Sequence, residues 1–109
     1  MSELKTIDYI NQINNIIHSN KRLACYVFVK KYDIEELIDK IYSSVPVEIM
    51  EAKALGSKTG FGEYLYNELK NFEVYLDNSL KVFNFCILNI NKTEQLLRKI
   101  AENISSGVR

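Results

Sequence analysis

Glu51 and Lys53, two positions apart, are the pair whose types and spacing come closest to a catalytic set in this chain. In metal-dependent nucleases with an E-x-K triplet, the carboxylate holds Mg²⁺ and the lysine steadies the attacking water or the phosphate. That chemistry also needs an acidic residue on a preceding, adjacent strand. The first predicted strand, residues 23–29, contains no Asp or Glu. A Mg²⁺-dependent nuclease is therefore kept only as an alternative hypothesis.

A stretch rich in glycine, lysine and hydroxyl residues follows at residues 52–62. Backbone N–H groups at a helix N-terminus, together with lysine side chains, can bind an anion. The stretch has neither the Walker spacing nor a G-x-G-x-x-G string. It is either a turn that leads into the next helix or a site for RNA or a phosphate-bearing ligand. The residues predicted for such a site are Lys53, Gly56, Ser57, Lys58, Thr59 and Gly60.

Four aromatic residues occupy predicted strand positions: Tyr26, Phe28, Phe83 and Phe85. Aromatic side chains on a sheet stack on bases in RNA-recognition modules. These four lie in runs that are apolar at successive positions, so we expect them to pack in the core. Basic residues bracket the first strand and form either a small basic rim or an ordinary solvated surface: Lys21, Arg22, Lys30 and Lys31.

The chain has two cysteines, Cys25 and Cys86, and one histidine, His18. These are too few for a zinc site of four ligands, so no metal and no cofactor are predicted. Both cysteines lie inside apolar runs, and we expect both to be buried. The 14 basic and 14 acidic residues balance, which argues against binding nucleic acid through bulk positive charge. No apolar run approaches the roughly 20 residues of a membrane span, and we expect no membrane contact and a cytoplasmic location.

Apolar spacing predicts the elements that position these groups. Helices are expected over residues 4–19, from Asp33 to Pro46, after the glycine-rich stretch, and from about residue 91 to Gly107. Strands are expected at 23–29, 47–50, 72–76 and 80–90, with a hairpin turn at 77–79. No internal repeat is apparent. The predicted fold class is α+β, a single domain over residues 1–109. It forms a two-layer α/β sandwich with a mixed sheet of about four strands, in the order α-β-α-β-α-β-β-α.

The first helix carries an isoleucine stripe with asparagine and glutamine between its members. Such a stripe either covers the domain's own sheet or docks on another protein, and the pattern alone does not separate the two. The residues predicted to contact a partner are Ile7, Ile10, Ile13 and Ile17.

Residues 48–65 run from Glu48 and Ile49 through an apolar stretch and a Gly/Ser/Thr loop into a helix. This pattern resembles the centre of the KEOPS-complex regulatory subunit, the PRPK-binding protein family, with Gly56 and Thr59 as further motif-like positions. Residues 80–90 are similar to the hydrophobic strand that follows in that family, and the resemblance covers about half the chain. It implies a non-catalytic subunit in the synthesis of threonylcarbamoyladenosine in tRNA, with a kinase-like protein and tRNA as partners.

The leading functional prediction is a non-catalytic interaction subunit with a protein partner. The first alternative is a small domain that binds nucleic acid or a phosphate ligand through the Gly56–Gly62 loop. The second alternative is the Mg²⁺-dependent nuclease.

Overall fold

The structure, a computed structural model, describes residues 5–56 and 61–105. Its elements are α1 (Lys5–Ser19), β1 (Arg22–Leu23), β2 (Tyr26–Lys30), α2 (Lys31–Ala54), α3 (Leu65–Asn78), β3 (Leu80–Val82), β4 (Phe85–Asn89) and α4 (Ile90–Ser105). The strands form one sheet in the order β1-β2-β4-β3. The predicted α+β class and the number of strands are confirmed. All three strand pairings are antiparallel, where we expected a mixed sheet.

The hydrophobic core lies on one face of the sheet. The two central strands contribute Val27, Val29, Cys86 and Leu88, all fully buried. Side chains from all four helices join them in a single cluster. The helices therefore form one layer and the sheet the other, as predicted for a two-layer sandwich. No helix of the described residues is long and apolar enough to cross a membrane.

The predicted order of elements is wrong at two places, and the observed order is α-β-β-α-α-β-β-α. Residues 47–50 belong to α2, which continues through Pro46. A proline inside a helix removes one backbone hydrogen bond, but Val45 and Ile49 continue the inward-facing stripe on either side of it. Residues 72–76 belong to α3, where Phe72 and Leu76 face the core and Val74 faces solvent. Apolar residues there fit both periodicities, and burial selects the helix.

Each long apolar run forms a hairpin instead of one strand. Leu23 pairs with Tyr26, and Val82 pairs with Phe85, so two residues make each turn. Only the first turn residue has a positive φ, 55° at Ala24 and 56° at Phe83. Turns of this type usually place glycine at that position. Because neither turn contains glycine, the sequence carries no signal for the hairpins.

The chain consists of two similar halves, contrary to the absence of a repeat in the sequence analysis. The buried residues of α1 and α3 match at a separation of 59 positions, and so do those of α2 and α4. At this separation Phe28 corresponds to Ile87, and the two lie opposite each other at the middle of the β2–β4 pair. A local twofold axis therefore passes between them. Few aligned residues are identical, and four such pairs fall in α2 and α4: Glu35/Glu94, Leu37/Leu96, Lys40/Lys99 and Ile41/Ile100.

Two equivalent hydrogen bonds tie the halves together. The Ile90 N–H donates to the Cys25 carbonyl at 2.8 Å, and the Lys31 N–H donates to the Asn84 carbonyl at 3.4 Å. Each bond joins the first residue of a helix to the turn of the other hairpin. The start of α4 is also capped by Asn89, whose Oδ1 accepts the Lys92 N–H at 3.0 Å.

Polar contacts hold the helices in register. The Thr6 Oγ1 donates to Glu48 Oε2 at 2.8 Å, and the Thr6 N–H donates to Glu48 Oε1 at 3.2 Å. A carboxylate placed there also complements the positive end of α1. Between α2 and α3, the Tyr42 hydroxyl donates to Glu73 at 2.6 Å. Burial, followed by this hydrogen bond, raises the pKa of Tyr42.

Because the two halves share one core, substitutions at equivalent buried positions of α1 and α3 should both cause large losses of stability. Ile13→Ala should lower the free energy of unfolding by about 2–5 kcal/mol and Phe72→Ala by about 3–5 kcal/mol, since each opens a cavity at a fully buried site. The matched controls are Asn15→Ala and Val74→Ala, at equivalent exposed positions, with effects within about 0.5 kcal/mol. Urea denaturation at fixed protein concentration measures all four. A loss under 1 kcal/mol, by this rough scale, at either buried site would contradict the core described for that half.

Candidate functional site

The face of the sheet turned away from the helices is a largely apolar surface. Side chains alternate along a strand, so the neighbours of the buried strand residues point to this side. We call it the open face. It consists of Leu23, Tyr26, Phe28, Leu80, Val82, Phe85 and Ile87, with Lys30 and Asn89 at opposite corners.

The open face is accessible to solvent. The exposed fraction runs from 36% at Phe85 to 67% at Leu80 among its outer members. Phe28 and Ile87, at its centre, are half-buried by their neighbours in the sheet and do not belong to the core cluster. Antiparallel sheets often leave one face to solvent, but that face is then normally polar. A contiguous apolar surface on a sheet instead marks a place where another molecule binds.

Positive charge lies at the rim of the open face. The hairpins and their flanks, residues 20–30 and 79–89, contain no Asp or Glu. Lys30 stands directly opposite Phe85, and Lys21 shares the face by alternation with Leu23. Within the described chain, neither lysine forms an ion pair.

The other cations of the hairpins face the helices. Arg22 contacts His18 Nδ1 at 2.8 Å, and Lys31 bonds to Asp77 at 3.1 Å. The hydrogen bond to Asp77 is the main cause that raises the pKa of Lys31. Lys81 donates to the carbonyls at the end of α3, including that of Asp77 at 2.7 Å. The predicted basic rim is thus divided, and Lys21 and Lys30 are its members on the open face.

Phe83, in the turn beside Val82 and Phe85, is the most exposed large apolar side chain among those described, at 97%. Its φ of 56° is costly for a bulky residue, by about 1–2 kcal/mol. A residue that strains the backbone and buries nothing does not stabilise the folded chain. The two-residue turn requires this φ, as it does at Ala24, so the exposure of an aromatic ring next to the open face is what supports a contact role for Phe83.

The structure corrects the expectation that the four strand aromatics pack in the core. Tyr26, Phe28 and Phe85 lie on the open face, and Phe83 lies in the turn. The error has a physical cause: both faces of β2 and β4 are apolar, so alternation of burial leaves no polar–apolar alternation in the sequence. The residue types still differ between the two faces of β2 and β4: the aromatic residues lie on the open face, and the small Val27, Val29 and Cys86 lie on the core face.

The predicted ligand loop is described only in part. Ser57, Lys58, Thr59 and Gly60 lie outside the described residues. Lys53 is exposed in the last turn of α2, and Gly56 follows that helix with φ +72°. This stretch joins two helices, α2 and α3, and does not follow a strand as predicted. It also starts from the helical layer, whereas the open face lies on the opposite side of the sheet.

The predicted partner stripe on α1 covers the chain's own sheet. Ile10, Ile13 and Ile17 are buried in the core, and Ile7 packs against it from the edge. This corrects the prediction that the stripe docks on another protein, because these side chains have almost no surface left to contact one. The sequence pattern allowed the stripe to cover the chain's own sheet or to dock on another protein, and the structure shows the first of these interpretations.

Glu51 and Lys53 do not form the predicted strand-end pair. Both are exposed residues of α2, and positions two apart on a helix point about 200° away from each other. A metal-bound carboxylate and a lysine cannot converge on one phosphate from there. No group of three or more metal-binding side chains occurs within residues 5–56 and 61–105.

Only one of the two predicted buried cysteines is buried. Cys86 is inaccessible in the core, whereas Cys25 is exposed in the first hairpin turn. We expect one thiol per chain to react with a disulfide reagent in the folded protein at low concentration, and two after denaturation. Cys25→Ser should abolish the fast reaction, and Cys86→Ser should leave it unchanged. Rapid labelling of two thiols in folded protein would contradict the hairpin geometry.

The open face is the candidate functional site because it gathers exposed aromatic and aliphatic side chains, unpaired lysines and a strained turn in one place. The other predicted sites are buried, divided or only partly described. Comparison with protein-family models, with curated proteins and with solved structures finds no match to this chain.

Proposed function

We propose that the protein is a non-catalytic interaction subunit that binds a protein partner through the open face of its sheet. The observation that carries the proposal is an exposed apolar surface on an otherwise well-packed domain. The helical layer already covers one face, so the second apolar face is not needed for the chain's own core. Its exposure costs solubility in the free protein, and contact with a partner removes that cost.

The composition of the open face favours a protein partner. Aliphatic side chains make up its outer strands, Leu23 on β1 with Leu80 and Val82 on β3. Aromatic side chains lie on the central strands, and the lysines lie at the rim. An apolar centre with a polar rim is the usual layout of a protein–protein interface. Aliphatic groups gain free energy from burial against other apolar side chains but offer no stacking surface to bases.

The resemblance to the KEOPS regulatory subunit supplies a specific form of this proposal. In that form the partner is a kinase-like protein and the shared task is threonylcarbamoyladenosine synthesis on tRNA. The segment that carries the resemblance begins in α2, where Glu48 binds Thr6 of α1 and Ile49 packs against the core. These two motif-like residues have structural roles in the helical layer, which leaves the open face free for the partner.

Affinity capture with face variants tests the proposal. Tagged wild-type protein should recover a partner from the source cell, and Ile87→Lys should reduce its recovery at least tenfold, a loss of about 1.4 kcal/mol or more. Val74→Lys is the matched control, since it adds the same charge at an exposed apolar position of α3. Circular dichroism verifies folding of each variant. Equal recovery by all three proteins, or isolation of the wild type alone as a monomer, would contradict the proposal.

Single-stranded nucleic acid is a second candidate, favoured by one arrangement. Tyr26 and Phe28 lie on β2, two residues apart on one face, and Phe85 lies on the adjacent β4 opposite Lys30. Exposed aromatics on the central strands of a sheet, with a cation beside them, can stack on bases and neutralise a phosphate. The tRNA partner implied by the family resemblance is consistent with this candidate.

Fluorescence anisotropy with a labelled single-stranded RNA separates the two candidates. The nucleic-acid candidate expects binding at about 50 mM salt that weakens steeply by about 200 mM. Lys30→Ala should weaken it and reduce the salt slope by about one, whereas Lys70→Ala on the exposed side of α3 should not. Absence of binding at low salt, or equal loss in both variants, would remove this candidate.

A further inference from the structure

We infer that the partner on the open face is a second copy of this chain, with the two sheets packed face to face. The inference rests on the proposed function and names its partner. It follows from the area, the layout and the internal symmetry of the open face, and from the shortness of the edge strands.

The area matches what a stable dimer buries. From their exposed fractions and ordinary side-chain areas, the five outer residues of the open face present roughly 500 Å² of mostly apolar surface, and Phe83 in the adjacent turn adds roughly 200 Å². A standard protein interface buries about 800 Å² on each partner. A monomeric protein seldom exposes an apolar patch beyond a few hundred Å². One further sheet of the same size, packed on this one, covers the surface.

The local symmetry gives the open face an apolar centre with similar apolar residues on either side of it. The twofold axis between Phe28 and Ile87 runs through the middle of the open face, and it exchanges Tyr26 with Phe85 and Leu23 with Val82. When two copies pack face to face with these centres aligned, the apolar centre of one copy contacts the apolar centre of the other. Two-subunit oligomers use one such self-complementary patch on each subunit.

Charge is compatible with this arrangement. Lys21 lies at the edge of the sheet beside β1, where its carbonyl accepts the Phe28 N–H at 3.0 Å, and Lys30 lies at the end of β2, two residues from Phe28. Long lysine side chains can lie over apolar surface and keep their ammonium groups in water. The face has no buried cation that would need an acidic partner, and it supplies no carboxylate of its own to offer one.

The edges of the sheet favour face contact over edge contact. The edge strands β1 and β3 have only two and three residues. Such short edges provide few free backbone groups for pairing with another strand. Two apolar sheet faces, in contrast, pack about 10 Å apart with interdigitating side chains, as in β-sandwiches.

Sedimentation equilibrium of the purified full-length chain tests the inference. The wild type should have about twice the 12.7 kDa chain mass at micromolar concentration. Ile87→Lys, at the centre of the face, and Val82→Lys, on its outer strand, should each raise the dissociation constant at least about 30-fold, because each places an unpaired charge in an apolar interface. Val74→Lys should leave it unchanged. Two face variants are used so that a folding defect in one, detected by circular dichroism, leaves the other to decide.

Two outcomes would overturn the inference. They are a wild-type monomer at about 100 µM, where even weak dimers associate, and a dimer that persists in both folded face variants. A monomer whose partner capture still depends on Ile87 would refute self-association and leave the proposed function standing. A monomer that captures no partner through the open face would refute both the self-association and the proposed function.

Discussion

The antiparallel pairing of β2 with β4 is the interaction on which the rest of the structure depends. It places Val27, Val29, Cys86 and Leu88 on one face, where all four helices converge on them. The same alternation puts Phe28 and Ile87 on the other face, where none of the described residues packs over them. Each strand also leads directly into a helix whose first N–H bonds to the opposite hairpin turn. Core, helix placement and open face therefore share one origin, and a shift of one residue in this register would exchange the two faces.

The two similar halves explain how such a small chain builds a single core. Each half supplies two helices and a hairpin, and a half alone would have only a two-stranded hairpin, which is marginal in water. The halves join across β2 and β4 and close a single core. Buried positions recur 59 residues apart with few identities, so the two halves share a pattern of burial more closely than they share residues. The two halves differ in the charge that they contribute to the open face, because Lys21 and Lys30 of the first half correspond to Leu80 and Asn89 of the second.

The sequence predicted the parts of this fold that have one clear periodicity. The isoleucine stripe of α1 and the leucine–isoleucine stripe of α4 give only a helical reading, and both helices were found where expected. The extent of α2 and α3 was not predictable by the same rule, because Pro46 and the apolar Phe72, Val74 and Leu76 fit competing readings that only tertiary burial resolves. The hairpins lacked glycine signals at Ala24 and Phe83. The open face was not predicted, because a strand that is apolar on both sides has the sequence pattern of an interior strand. That pattern is the same whether the second face is covered by the chain itself or by another molecule.

The central claim is that another chain covers the open face. An isotope-filtered NOE experiment on an equimolar mixture of ¹³C-labelled and unlabelled protein measures this contact directly. The account predicts intermolecular NOEs between the methyl groups of Ile87, Val82 or Leu80 and the rings of Phe28, Tyr26 or Phe85, with no intermolecular NOE to Val74 on α3. Such contacts require side chains from two copies within roughly the contact distance of apolar atoms. A filtered spectrum empty of open-face signals in a folded, concentrated sample, or one whose intermolecular NOEs come from the helical layer, would contradict the account.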